Sequence, residues 1–392
     1  MRFYVIGIAD RPDPPLSDDI RRLITTSTVF SGGKRHHELV ASFLPKEYDW
    51  IDITVPLSSV FGQYQLHDEI VVFASGDPLF FGFANTLRRE FPDAEILLYP
   101  TFNSLQTLAH RLVMPYHDMR IVSLTGRPWH EFDRALIEGA SKIGVLTDKE
   151  HTPAAIARRM MEYGFTDYQM YVGEHLGNPD LEHVTTCTLS EAAHTNFCQP
   201  NCLILEGRHQ RRWGIPDHEF RLLDGRERMI TKMPIRLLSL QSLELHRKQV
   251  LWDIGFCTGS ISIEAKLQFP HLHVESFEVR PECEEIIQEN CRRFSAPGIN
   301  IHIDDFLAAN CDVLPCPDAV FIGGHGGKLK EIMQKVCGYL EPGGCIVMNS
   351  VTPQSKELFE EACSNLSLRT ATPLHIQLND YNPIDILKCE LP

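Results

Sequence analysis

No Cys-x-x-Cys pair occurs in this chain, although it holds 12 cysteines; the closest spacings are Cys198 with Cys202 and Cys311 with Cys316. That scatter excludes the paired-ligand grammar of a structural zinc site. Cys202 and Cys345 sit inside apolar runs, where cysteine acts as a small hydrophobe. Free thiols in a reducing compartment, and no metal, are the expectation. Positive charge is scarce too: 37 Lys and Arg face 52 Asp and Glu, for a net charge of −15. A nucleic-acid surface needs a basic stripe to neutralise phosphates, so that partner class is disfavoured. Long apolar runs are missing. Stretches such as Ile70–Ala74 fall far short of the roughly 20 residues that cross a bilayer, and no membrane partner is expected. Met1 leads straight into strand-like Arg2-Phe3-Tyr4-Val5-Ile6 without a cleavable signal pattern, so a cytoplasmic location is expected. What remains is an ordinary globular composition, 43% hydrophobic and 23% charged, over 392 residues, enough for two domains.

One stretch organises the rest: Leu251-Trp252-Asp253-Ile254-Gly255-Phe256-Cys257-Thr258-Gly259-Ser260. An apolar strand stops at a Gly-x-x-x-Gly turn, and a helix-like segment follows. Glycine removes Cβ where a ligand must lie against backbone, and the first N–H groups of the next helix face that ligand. The spacing is not the G-x-G-x-x-G of a dinucleotide fingerprint. A second strand from His273 ends near Glu278, where a carboxylate accepts ribose hydroxyls in doubly wound sheets. A third, Ile299–Ile303, ends in Asp304-Asp305, positioned to meet an adenine amino group, and a fourth, Asp318–Ile322, ends in Gly323-Gly324. This succession resembles the S-adenosylmethionine (SAM) site of Rossmann-like methyltransferases. The resemblance implies cofactor binding by Asp253, Gly255, Thr258, Gly259, Ser260, Glu278, Asp304, Asp305, Gly323 and Gly324.

Residues 1 to about 207 alternate short apolar strands with helical stretches, an α/β pattern. Phe3–Ile8 reads as a strand, and Ser17–Thr25 as a helix with a serine cap. Ser31-Gly32-Gly33-Lys34-Arg35-His36-His37 reads as a glycine turn with a basic patch. Glu69–Ala74 reads as a strand buried on both faces that delivers Ser75-Gly76-Asp77-Pro78 at its C-terminal end. These elements, with Thr101-Phe102-Asn103-Ser104, Leu146-Thr147-Asp148, Thr152–Ala157 and Glu174-His175-Leu176-Gly177, resemble the tetrapyrrole methyltransferase family. Gly-Gly-Lys-Arg-His and Thr-Pro-Ala-Ala-Ile-Ala point to its C-5 methylating, CbiE-like branch. The likeness implies cofactor contacts from Gly7, Gly76, Asp77, Pro78, Thr101 and Ser104, and substrate contacts from Lys34 and Arg35. One departure stands out: the family's first turn is Gly-x-Gly-x-Gly, and here it reads Gly7-Ile8-Ala9-Asp10.

Past a polar connector, Glu206 to Arg212, come Trp213-Gly214-Ile215-Pro216-Asp217, Thr231-Lys232 and Arg236. With the Asp253–Ser260 loop they resemble the CbiT-like methyltransferases, which implies substrate contacts from Thr231, Lys232 and Arg236. The expected fold is α/β: an N-terminal tetrapyrrole-methylase fold of two α/β subdomains (1–207), then a Rossmann-like class I SAM-dependent methyltransferase domain (208–392). The two resemblances together imply a SAM-dependent enzyme of corrin (cobalamin) synthesis. It would methylate precorrin-6B, or its cobalt form, at C-5 and C-15 and decarboxylate the C-12 acetate. The substrate's carboxylates call for the cations just named. His325, in Gly323-Gly324-His325-Gly326-Gly327, is the candidate catalytic proton donor after CO2 loss. A homo-oligomer, dimer or tetramer, is expected from the relatives. Two alternatives stay open: a SAM-binding protein with only its C-terminal domain active, and a methyltransferase for another tetrapyrrole.

Overall fold

The computed structural model describes every residue except Pro12, Glu227 and Asp380. The chain forms two compact units. One comprises Met1–Arg127, Ser141–Arg158 and Tyr168–Gly207; the other comprises Pro128–Ala140, Arg159–Asp167 and Arg208–Pro392.

The first unit holds two sheets. Strands β1 (Arg2–Ile8), β2 (Val29–Gly32), β3 (Asp49–Asp52), β4 (Glu69–Ser75) and β5 (Glu95–Tyr99) align in the order β3-β2-β4-β1-β5, all parallel. Central β4 is buried at every position but its two ends, as a parallel strand covered on both faces should be. The helix Asp18–Thr26 follows β1, capped by the Ser17 hydroxyl. The basic patch turns out to be helical: Gly33 caps the helix Lys34–Val40, and His36 Nδ1 accepts the Gly33 N–H at 3.3 Å. The second sheet contains β6 (Arg120–Ser123), β7 (Lys142–Leu146), β8 (Tyr168–Glu174), β9 (His183–Thr188) and β10 (Asn201–Gly207), ordered β6-β7-β10-β8-β9. Only its β6–β7 pair is parallel.

The second unit is built on one sheet of β11 (Val250–Ile254), β12 (His273–Glu278), β13 (Ile299–Ile303), β14 (Ala319–Ile322), β15 (Cys345–Ser350), β16 (Arg369–Thr370), β17 (Leu374–Ile376) and β18 (Ile384–Glu390). The order is β13-β12-β11-β14-β15-β18-β16, with β17 paired to β18. The first five are parallel, so their C-terminal ends share one edge, the usual ligand edge of an open α/β sheet. Alternation divides the core between the faces. Trp252, Ile254, Ile346 and Met348 pack on one side; Leu251, Phe321 and Val347 pack on the other, against Ile235, Ile261 and Ala265.

The helix Ser260–Gln268 on that second face is buried along nearly its whole length, although Ser262, Glu264 and Lys266 belong to it. Burying such groups requires partners, and each has them. Ser262 Oγ donates to Asp253 and lies 2.8 Å from Ser276 Oγ. Glu264 accepts the backbone N–H groups of Gly214 and Ile215 and faces Arg236. Lys266 Nζ donates to the carbonyls of Pro270 and Leu272.

Candidate functional site

In the first unit the ends of β1 and β4 meet the loop after β5. Gly76 N–H donates to Ile8 O at 2.9 Å and Thr101 N–H reaches Gly76 O at 3.5 Å. A Cβ on Gly7 would stand 1.8 Å from Gly76 O, so no other residue fits there without moving the backbone. Gly7, Gly76 and Thr101 are therefore brought together at these strand ends. Asp77 and Pro78 form the adjoining turn: Asp77 Oδ1 accepts Leu79 N–H at 2.9 Å, and Pro78 O accepts Ala84 N–H. Ser104 opens the helix Ser104–Arg111, one residue after the Asn103 cap, with its hydroxyl toward the buried Cys202 thiol.

The basic helix borders this site. His36 Nε2 lies 2.9 Å from Ser75 Oγ. Burial, helped by the charge of Arg35, pushes the His36 pKa down to about 4, so the ring is neutral at physiological pH. With Nδ1 accepting from Gly33, the remaining proton sits on Nε2 and is donated to Ser75. Lys34 is exposed. Arg35 forms an ion pair with Asp10, and His175 Nδ1 approaches the same carboxylate at 3.8 Å. The acid that departs from the family's glycine turn thus neutralises a cation expected to receive substrate.

In the second unit Gly255 has φ of +79°, and a Cβ there would lie 2.7 Å from Gly324 N and 2.9 Å from Gly324 O. The N–H groups of Gly323 and Gly324 point to Ile254 O at 2.8 and 3.4 Å. Gly255, Gly323 and Gly324 consequently form one side-chain-free surface at the ends of β11 and β14. Asp253 is fully buried, and its carboxyl pKa is raised to about 7, chiefly by burial. Among the described residues, three buried side-chain atoms have no hydrogen-bond partner: Asp253 Oδ1, Thr258 Oγ1 and Asn349 Nδ2. All three lie at the C-terminal edge of the third sheet. Buried polar groups are normally satisfied, so these three unmet atoms single out this strand edge as the candidate site. Gly259 and Ser260 start the buried helix there, with Cys257 in the left-handed region at φ 49°.

Other predicted residues are more engaged than the sequence suggested. Glu278 is buried and accepts N–H groups from Cys257 at 3.0 Å and Val279 at 2.9 Å, with Arg280 Nε at 3.0 Å. Asp305 is occupied by Leu307 N–H and Lys328 Nζ, which leaves Asp304, exposed, as the freer of the pair.

Arg236 corrects an expectation. Read as a substrate-binding cation, it is completely buried and holds the carbonyls of Thr231 and Ile215 and the carboxylates of Asp217 and Glu264. A guanidinium with that many internal acceptors has nothing left to offer a substrate. The Gly214-Ile215-Pro216-Asp217 element belongs to the same internal network. Lys232 remains available, 3.7 Å from Asp217 and 5.6 Å from the Tyr381 ring, with Thr231 beside it. His325 is half-buried, which lowers its pKa, and its Nδ1 accepts the Gly327 N–H at 3.2 Å. Asn349 was missed; its only signal was a polar residue near the end of the otherwise apolar Cys345-Ile346-Val347-Met348 strand.

Comparison with known proteins divides the chain linearly, on either side of the connector. Residues 19–193 match the family model of Tetrapyrrole (Corrin/Porphyrin) Methylases, and residues 224–385 match the Precorrin methyltransferase domain. A precorrin-6Y C(5,15)-methyltransferase (decarboxylating) from a Sinorhizobium species is 34% identical over 89% of this chain and 84% of its own length. A cobalt-precorrin-6B C(15)-methyltransferase (decarboxylating) from Salmonella typhimurium is 36% identical over 43% of this chain and 92% of its own. The crystal structure of a precorrin-6Y C5,15-methyltransferase from Geobacter metallireducens is 31% identical, covering 47% of this chain and 100% of that one at a TM-score of 0.42. No helix among the described residues is long and apolar enough to cross a membrane.

Proposed function

The chain belongs to the family of precorrin-6Y C(5,15)-methyltransferases (decarboxylating), and we propose that its two halves divide that reaction. It is a methyltransferase of cobalamin biosynthesis whose reaction includes decarboxylation. In the proposed division, residues 1–207 methylate C-5, and residues 208–392 methylate C-15 and remove the C-12 acetate carboxyl.

The observation that carries the second cofactor site is the pair of unmet buried atoms, Asp253 Oδ1 and Thr258 Oγ1, beside the Gly255–Gly324 surface. A ligand with both donors and acceptors fits such a set, and SAM has both. When bound, SAM supplies a methyl group on a sulfonium, which needs no enzyme nucleophile. The residues' task is then to orient two reactants and exclude water. Thr258, Gly259 and Ser260 lie where the amino-acid end would rest, with Glu278 near the ribose and Asp304 near the adenine. Lys232 is the cation toward the tetrapyrrole in this half, and Lys34 and Arg35 serve the other half. His325 returns the proton after CO2 leaves, a step that requires its imidazolium form and so favours acid pH.

The test is mass spectrometry of the purified protein with SAM and either precorrin-6B or its cobalt form. Gain of two methyl groups with loss of one CO2 is expected. One methyl with CO2 loss would assign activity to the second half alone, and no change with either substrate would overturn the reading.

A further inference from the structure

Asn349 sits at the end of β15 on the sheet face that also carries Val347 and Phe321, the face covered by the helices Met233–Ser242 and Ser260–Gln268. Ile254, Ile322 and Met348 are in register across β11, β14 and β15. One residue further, Gly255, Gly323 and Asn349 follow in a row. Two members of that row have no side chain, so Asn349 supplies its one polar side chain. Ser239 Oγ lies 2.8 Å from Ile235 O and 3.0 Å from Asn349 Oδ1, while Asn349 Nδ2 is buried without an acceptor. Its position favours substrate over cofactor. Two strand spacings, about 10 Å, separate it from β11, on the far side of the glycines from Glu278 and Asp304 and on the side of Lys232.

Resting on the functional reading above, we propose that Asn349 Nδ2 hydrogen-bonds the acetate carboxylate of the tetrapyrrole that is lost as CO2. A neutral amide suits that task better than a cation. A lysine or arginine would stabilise the carboxylate most strongly in the ground state and so oppose its loss, whereas a buried amide orients it with a weaker hold. The bond between the acetate methylene and its carboxylate breaks, and the electron pair stays on the methylene carbon, delocalised into the conjugated macrocycle. CO2 departs, and one proton converts the methylene to a methyl group. The other carboxylates, nearer solvent, are left to Lys232.

The experiment uses the full chain with Asn349→Leu, which keeps the volume and removes the donor, and Asn349→Asp, which keeps the shape and the Ser239 contact but opposes the acetate with like charge. CO2 release should fall about tenfold or more in the first and further in the second. C-5 methylation and SAM affinity by calorimetry should match the unsubstituted protein. CO2 release unchanged in the aspartate variant would overturn the assignment. So would a drop in SAM affinity of the same size as the loss of CO2 release, which would move Asn349 to the cofactor. If the unsubstituted chain releases no CO2, the functional reading fails, not the placement of Asn349.

Discussion

The two proposed methyl-transfer sites both lie at strand ends where glycines let backbones touch, yet they handle charge in opposite ways. In the first, Asp10, Arg35 and His175 approach one another at a partly exposed rim, and His36 is held neutral against Ser75. In the second, Asp253, Thr258 and the amide nitrogen of Asn349 are buried with atoms left unpaired, and the cations nearby either face inward, as Arg236 does, or stand aside, as Lys232 does. The first site reads charge at its border through groups that already compete. The second holds its polar atoms away from solvent, so they gain most when a ligand completes them.

The sharpest way to break this comparison is at the glycines. Gly7→Ala forces a methyl into Gly76 O and should cost about 3 kcal/mol and abolish C-5 methylation. Gly255→Ala adds a left-handed alanine to a backbone clash and should abolish C-15 methylation and CO2 release by a similar margin. Product masses would show each variant losing only its own half of the reaction; loss of both methyl gains from either one would mean that the sites are not independent.

A second contrast appears in pH. Asp253 has a folded pKa raised to about 7, so the native state binds a proton that the unfolded chain has released. Stability is therefore lost as pH rises from about 4 through 7. Asp253→Asn should raise the melting temperature at pH 8, by a free energy on the order of 4 kcal/mol, and leave it nearly unchanged at pH 4. His36, lowered to about 4, acts in the other sense: its contribution is lost as pH falls from about 6.5 to 4. His36→Gln should flatten acid sensitivity in that window, as followed by thermal melting. If both substitutions shift stability in the same direction with pH, the contrast between the sites is wrong.

Smaller effects should appear at the rim. Arg35→Ala should raise KM for C-5 methylation about tenfold with kcat little changed, while Asp10→Asn, which frees Arg35, should lower KM about threefold. Steady-state kinetics at two salt concentrations checks both, because the Asp10→Asn gain should shrink as salt rises. The smallest change is expected from His325→Ala, less than about threefold in CO2 release, since water reaches that exposed glycine loop. A larger loss that deepens as pH falls would mark the imidazolium as the main proton source.

Much of this was legible in the chain. The strand ends at Gly7, Gly76, Asp253, Glu278 and Gly323 could be placed because apolar runs terminated by glycine or acid are local signals. The CbiE-like and CbiT-like resemblances supplied the order. What escaped depended on contacts between residues far apart. Arg236 looks like any cation near a motif, and only the fold shows it enclosed by Thr231, Ile215, Asp217 and Glu264. Glu278 read as open to ribose, because Arg280 and the Cys257 N–H that engage it are brought in by the turn. Asn349 announced itself only through burial, a property that sequence spacing does not report.

The Glu264–Arg236 network also bears on how such a chain can be split or joined in its gene. Gly214 and Ile215 donate to Glu264, and Ile215 and Asp217 accept from Arg236, so the segment just after the connector is part of the second unit's interior. A reading frame begun after Asp217 would leave a buried carboxylate and guanidinium short of partners, at about 3–5 kcal/mol. The second unit also draws on Pro128–Ala140 and Arg159–Asp167, so a cut in the stretch from Glu206 to Arg212 would spare this network yet still divide that unit, whereas fusion keeps it in one chain.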